Sequence, residues 1–242
     1  MPYYSYYYGF DWTYIALVLP CLILSLWAST RVNSTFKKYS QQLSSRRITG
    51  AQAAQRVLQS NGVYGVRIER VSGNLTDHYD PKSNVIRLSD SVYDSPSTAA
   101  IGVACHEAGH AVQYSQDYFP IKIRAAIIPV TNFGSKLAMP LILLGLLFST
   151  LGSFSNTLIY VGIACFGLSF VFQVITLPVE FNASRRAMEA IEQTDLLTQV
   201  ECKGARKTLN AAAMTYVAAT AVSLAQLLRL IMLFGGRNRR RD

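Results

Sequence analysis

The chain has 242 residues, of which 50% are hydrophobic and only 15% charged, with a mean hydropathy of +0.21; an ordinary water-soluble domain carries about 25% charged residues, so this composition belongs to a membrane protein. The formal net charge of +9 points to lipid headgroups rather than nucleic acid, because the basic residues sit beside apolar runs. Cys21, Cys105, Cys165 and Cys202 are scattered, with neither zinc-knuckle nor disulfide-framework spacing, and read as free thiols.

The first apolar run extends from about Thr13 to Ser29, near the lower limit for crossing a ~30 Å hydrocarbon core. Tyr3, Tyr4, Tyr6, Tyr7, Tyr8 and Trp12 precede it, and such rings favour the membrane–water interface. No positive charge precedes the run and no small-x-small site follows, so residues 1–30 read as an uncleaved anchor. Residues 31–136 form a polar domain. Within it, Thr49 caps a helix that stops at Asn61-Gly62, and the alternation from Val66 to Val71 predicts a strand. Leu75–Tyr79 and Val85–Leu88 flank Asp80-Pro81-Lys82-Ser83-Asn84 as an antiparallel hairpin. Ser97-Thr98 then caps a further helix.

The second and third apolar runs, about Leu137–Leu151 and Leu158–Leu177, make a transmembrane hairpin over residues 137–177. The polar stretch 152–157 is its turn. Residues 178–210 are a polar helical region. The fourth run, 211–234, is weaker because it carries Gln226 and Arg229; it either spans the membrane or lies partly against the other helices or the polar domain. Residues 235–242 are a basic tail. The expected fold is therefore a mostly α membrane protein with three or four transmembrane helices and a small α+β domain, with a short antiparallel hairpin before its principal helix.

Charge sets the expected orientation. Arg31, Lys37, Lys38, Arg46 and Arg47 follow the first run, Lys122, Arg124 and Lys136 precede the second, and Arg185 and Arg186 follow the third, whereas the N-terminus and the 152–157 turn carry no Lys or Arg. The positive-inside rule places the N-terminus outside and regions 31–136 and 178–210 in the cytoplasm. If the fourth run spans, Arg237, Arg239, Arg240 and Arg241 fall outside, against the same rule.

The chemistry concentrates at His106-Glu107-Ala108-Gly109-His110. Positions i and i+4 of a helix lie one above the other, so His106 and His110 present two imidazoles to one point, half of a tetrahedral Zn²⁺ site. Glu107 sits beside that point, where it can take a proton from an attacking water. Gly109 lets another backbone pack close. A catalytic zinc site needs a third protein ligand. No histidine follows His110, which excludes the metzincin pattern. Glu180 is the best candidate, because a two-span hairpin returns it to the compartment that holds the two histidines. The plain alternative is a headgroup-region carboxylate paired with Arg185 or Arg186.

Val103–Gln113, Leu75–Pro81 and Leu177–Ser184, three motifs in order, make the chain resemble the YugP-type neutral zinc membrane peptidases of bacteria, from the first run through Val217. The resemblance implies a zincin-like catalytic domain, a Zn²⁺ cofactor, protein or peptide substrates and a bacterial plasma-membrane location. The layout is also similar to HtpX-type and Ste24-type gluzincins, in which a membrane hairpin separates the two-His helix from the Glu helix and a strand before the active helix takes the substrate backbone as an added strand; that strand corresponds here to Leu75–Asp80. Many gluzincins have an Asp four residues after the Glu ligand to orient a zinc histidine. This chain has Ser184 there, so Asn182, Ser184 or a backbone carbonyl has to serve.

Two function classes follow. The first is a membrane zinc endopeptidase acting on membrane-associated or unfolded proteins, with Glu107 as general base and His106, His110 and Glu180 as ligands. The second is a non-enzymatic scaffold or adaptor with a structural or relic metal site. Structural zinc sites normally close with four protein ligands, and Cys105, adjacent to His106, points about 100° away on a helix. A transporter is disfavoured by the scarcity of ionisable residues in the apolar runs. His78 and Tyr79, on the expected edge strand, are candidates to stabilise an oxyanion; alternatively, His78 only makes hydrogen bonds within its turn.

Overall fold

The computed structural model describes residues 11–235; the tyrosine cluster at 3–8 and the basic tail from 236 lie outside the described residues. The chain forms two units, Met1–Trp27 with Ile123–Thr176 and Tyr216–Asp242, and Ala28–Lys122 with Leu177–Thr215. Among the described residues, six α-helices and three strands carry them. They are α1 (Leu19–Ser40, entered through a π-turn at Tyr14–Val18), α2 (Gly50–Ser60), β1 (Arg67–Val71), β2 (His78–Asp80), β3 (Val85–Ser89), α3 (Thr98–Ser115), α4 (Phe119–Leu147), α5 (Ser153–Gln193) and α6 (Gln199–Phe234). The architecture is mostly helical with one small sheet, as the sequence leads one to expect.

Among the described residues, four helices are long and apolar enough to cross a membrane: Tyr14–Ser40, α4, α5 and α6. The first unit is built from parts of these four. A 3₁₀ turn, Ser149–Leu151, and Gly152 at φ 63° join α4 to α5. The expected turn at 152–157 is therefore confined to its first residue, since α5 starts at Ser153. Two polar side chains after Gly152 give their hydroxyl hydrogens to backbone carbonyls. Thr157 Oγ1 donates to Ser153 O at 3.1 Å, and Ser155 Oγ donates to Gly145 O on α4 at 2.6 Å. Arg229, the charge that weakened the fourth run, is partnered. Its Nε donates to Asp11 Oδ2 at 2.9 Å and its guanidinium lies 5.4 Å from the centre of the Tyr14 ring. An ion pair lowers the cost of a cation in an apolar helix. A small core of Ile142, Ile159, Ile163 and Leu230 completes this unit.

The second unit follows the expected order of helix, sheet, helix. Thr49 and Gln52 form a reciprocal cap at the start of α2, Gln52 N donating to Thr49 Oγ1 and Thr49 N to Gln52 Oε1. At its other end Asn61 Nδ2 donates to Val57 O, and Gly62 takes φ 68°. The sheet order is β1-β3-β2. β2 and β3 are the expected hairpin, with Tyr79 opposite Ile86. Its turn is held by the Asp80 carboxylate, which accepts from Lys82 N and Ser83 Oγ. The parallel pairing of β1 with β3 carries no local sequence signal. Ser97 caps α3, its Oγ accepting from Ala100 N at 3.2 Å.

One core joins these elements: Val57 and Leu58 of α2, Ile86 and Leu88 of β3, Ile101, Cys105 and Val112 of α3, Ile191 of α5 and Leu209 of α6. α5 runs unbroken through Pro178, so the residues after the third apolar run belong to the same helix.

Candidate metal centre

The site is built on two helices of the second unit. α3 holds His106 and His110 one turn apart, their rings edge to face with centroids 4.7 Å apart. α5 runs against it with almost no clearance. A Cβ added at Gly109 would lie 2.8 Å from Ala183 O, closer than a methyl tolerates, so glycine sets the helix separation. Glu180 stands one turn before Ala183 and is carried into the space beside both imidazoles.

There, Glu180 Oε2 lies 3.2 Å from His106 Nε2 and 3.5 Å from His110 Nε2, with the glutamate side chain only 3% exposed. Arg185 and Arg186 have other partners: Arg185 faces Glu189 at 3.8 Å, and Arg186 bonds Asn182 and Gln116. Glu192 meets Arg206 at the surface. His106, His110 and Glu180 each offer one ligand atom, all within 4.8 Å of one another.

This donor set fits zinc. Ligand bonds of about 2.0–2.1 Å in tetrahedral geometry separate neighbouring donors by roughly 3.3 Å, and the two measured nitrogen–oxygen separations lie on either side of that value. Both Nε2 atoms turn inward because the other ring nitrogens are engaged. His106 Nδ1 lies 3.1 Å from Ser184 Oγ, and His110 Nδ1 lies 3.0 Å from Gln113 Oε1. Ser184, at the position where gluzincins have Asp, reaches His106. Asn182 acts at one remove: its Oδ1 accepts from Gln113 Nε2 at 2.9 Å and from Arg186 Nε at 2.7 Å. Sequence reasoning missed Gln113. Its signal was present in the spacing, since it follows His110 by three residues on one helix face.

Glu107 is buried, at 8% exposure, and its carboxylate makes no hydrogen bond to any described residue. Burial pushes its carboxyl up to about 7; the charges of Glu180 and Asp77 add to the rise and His106 opposes it. Asp77, also missed in the sequence, accepts from Ser89 N at 2.7 Å and from Ser89 Oγ. Cys105 faces the core, away from the ligand atoms, and burial raises its thiol far above the ordinary range. All four cysteines are free.

The edge-strand residues have local partners. His78 is exposed, and its Nδ1 lies 2.9 Å from Thr76 O. A backbone carbonyl only accepts, so that nitrogen carries the hydrogen. The Tyr79 hydroxyl donates to Asn84 Oδ1 at 2.8 Å, and its ring packs 5.6 Å from that of Tyr114 on α3.

No solved structure matches the chain. Among curated proteins, "Putative membrane protease YugP" of Bacillus subtilis (strain 168) is 48% identical over 221 residues, covering 91% of this chain and 96% of that protein. The profile of the family described as "Putative neutral zinc metallopeptidase" matches residues 14–235. The four apolar helices, the two-histidine helix and a profile match over nearly the whole chain place it in that family: this is a membrane protein belonging to the neutral zinc metallopeptidases, whose cofactor is Zn²⁺ and whose substrates are peptides.

Proposed function

We propose that the chain is a gluzincin-type endopeptidase that cleaves membrane-associated or unfolded proteins, with His106, His110 and Glu180 as zinc ligands and Glu107 as general base. The observation that carries this reading is the convergence of three ligand atoms beside a buried carboxylate that no described residue hydrogen-bonds. Zn²⁺ held by the three side chains would supply Lewis acidity to the scissile carbonyl and lower the pKa of water. Glu107 accepts the proton of the attacking water and delivers it to the leaving amine. Burial raises its carboxyl above the ordinary carboxylate range, which makes it a stronger base. The scaffold reading requires a closed site with four protein ligands; among the described residues three converge.

β2 is an edge strand and would accept substrate as an added antiparallel strand. His78 can donate to an oxyanion only as the doubly protonated ring, because Nδ1–H is committed to Thr76 O, and Tyr79 must first release Asn84. In detergent-solubilised protein, cleavage of an unfolded polypeptide should stop on chelation and return with Zn²⁺; cleavage that survives complete metal removal rejects the zinc mechanism. In the same assay, wild-type rates in both His78→Ala and Tyr79→Phe would remove the strand from the oxyanion role.

The site faces the cytoplasm in this reading. The basic group from Arg31 to Arg47 follows the first span, which usually dominates orientation, and it outweighs the basic tail. Labelling of introduced cysteines in intact cells should modify position 5 and spare position 90. Labelling of position 90 from outside would invert the topology.

A further inference from the structure

Gln113 is fully buried, at 0% exposure, and both polar atoms of its carboxamide are partnered. Val179 O lies 2.8 Å from one terminal atom. A backbone carbonyl has no hydrogen to give, so that atom is the amide nitrogen. The same nitrogen reaches Asn182 Oδ1 at 2.9 Å. The Asn182 atom is fixed as oxygen in its turn, because Arg186 Nε, which can only donate, points at it from 2.7 Å. Both amide hydrogens of Gln113 are thereby consumed. The remaining atom, Oε1, only accepts, and it faces His110 Nδ1 at 3.0 Å. The hydrogen in that contact must come from the ring. A neutral imidazole carries one hydrogen, so Nε2 is left as a bare lone pair, turned toward Glu180 Oε2.

Ser184 on His106 differs. A hydroxyl donates or accepts, so it holds the ring without dictating which nitrogen is protonated. The orientation chain Arg186–Asn182–Gln113 therefore acts on one histidine of the pair. It ties α5 to α3 at the level of the three candidate ligands, and Gln113 is sealed from solvent.

We propose that Gln113 is the positioning residue of the metal centre, fixing the Nδ1–H tautomer and the ring rotation of His110 so that its Nε2 is ready to bind the metal. The proposal rests on the reading of His106, His110 and Glu180 as ligands. It also gives the carboxamide a specific consequence. A carboxylate in this role makes the imidazole a stronger ligand, whereas a neutral acceptor leaves Glu180, among the described residues, as the anion in direct contact with the two rings.

Two substitutions separate the two ends of the side chain. Gln113→Leu and Gln113→Glu both remove the donors to Val179 O and Asn182 Oδ1, but only Gln113→Glu keeps an oxygen acceptor for His110. Zinc affinity of the full-length protein in detergent, measured by competition with a chelator, should fall roughly 10–100-fold in Gln113→Leu, the usual cost of losing such a partner. In Gln113→Glu it should stay much closer to wild type. Equal losses in the two variants, or none in Gln113→Leu, would overturn the proposal, because the role would then lie in the donors or in packing alone. Histidine-selective nitrogen NMR of zinc-loaded wild-type protein tests the same point without any variant; the proposal requires the His110 proton on Nδ1, and a proton on Nε2 refutes it. Wild-type protein that takes up no zinc would instead refute the ligand assignment underneath.

Discussion

Glu107→Gln is expected to keep its zinc and its fold while losing at least ~10²-fold in the rate of peptide hydrolysis, the contribution of a well-placed general base. The substitution preserves shape and removes only the ability to accept a proton. Glu107 is not among the three converging ligand atoms, so metal content should remain one ion per chain. Nor does any described residue depend on its carboxylate for a hydrogen bond, so the packing of α3 should persist. The measurement is initial rate against bound zinc in the same preparation. A variant that is fully loaded and cleaves at the wild-type rate would show that another group takes the proton.

Glu180→Ala should fail at the earlier step. Among the described residues, Glu180 Oε2 is the one anionic oxygen within 3.5 Å of both inward nitrogens. Its removal leaves two neutral donors from a single helix. The loss of affinity should exceed the roughly 10–100-fold that removal of an outer partner costs. Activity disappears with the metal and is not restored at zinc concentrations that saturate wild type. The side chain is not part of the hydrophobic core around Ile101, Val112 and Ile191, so the helices should stay packed and the variant should fold. Metal analysis after gel filtration gives the answer, and full zinc occupancy in Glu180→Ala would rule Glu180 out as the third ligand.

The sequence by itself determined what depends on near neighbours along the chain. Apolar runs of sufficient length announced the membrane helices. Thr49 with Gln52, and Ser97, marked helix starts through bonds that close within three residues. The Asp80–Asn84 turn announced the hairpin, and the i, i+4 histidines fell on one face of α3 because helical geometry leaves no alternative. The tertiary structure decided everything that depends on which distant segments meet. β1 lies parallel to β3, its half-buried Ile68 packed against the core that Ile86 and Leu88 of β3 enter, and periodicity within a strand says nothing about its partner. Residues 153–157 are helical and not a loop, with the hydroxyls of Ser155 and Thr157 donating to the carbonyls of Gly145 and Ser153. Most of all, the sequence offered Glu180 as one of two possibilities, a ligand or a headgroup carboxylate. Its place beside His106 and His110 follows from the backbone contact between Gly109 and Ala183. That same contact brings Ser184 to one imidazole, and Val179 and Asn182 to the Gln113 that holds the other. Those pairings span some seventy residues of chain, and only close packing of α5 on α3 selects them.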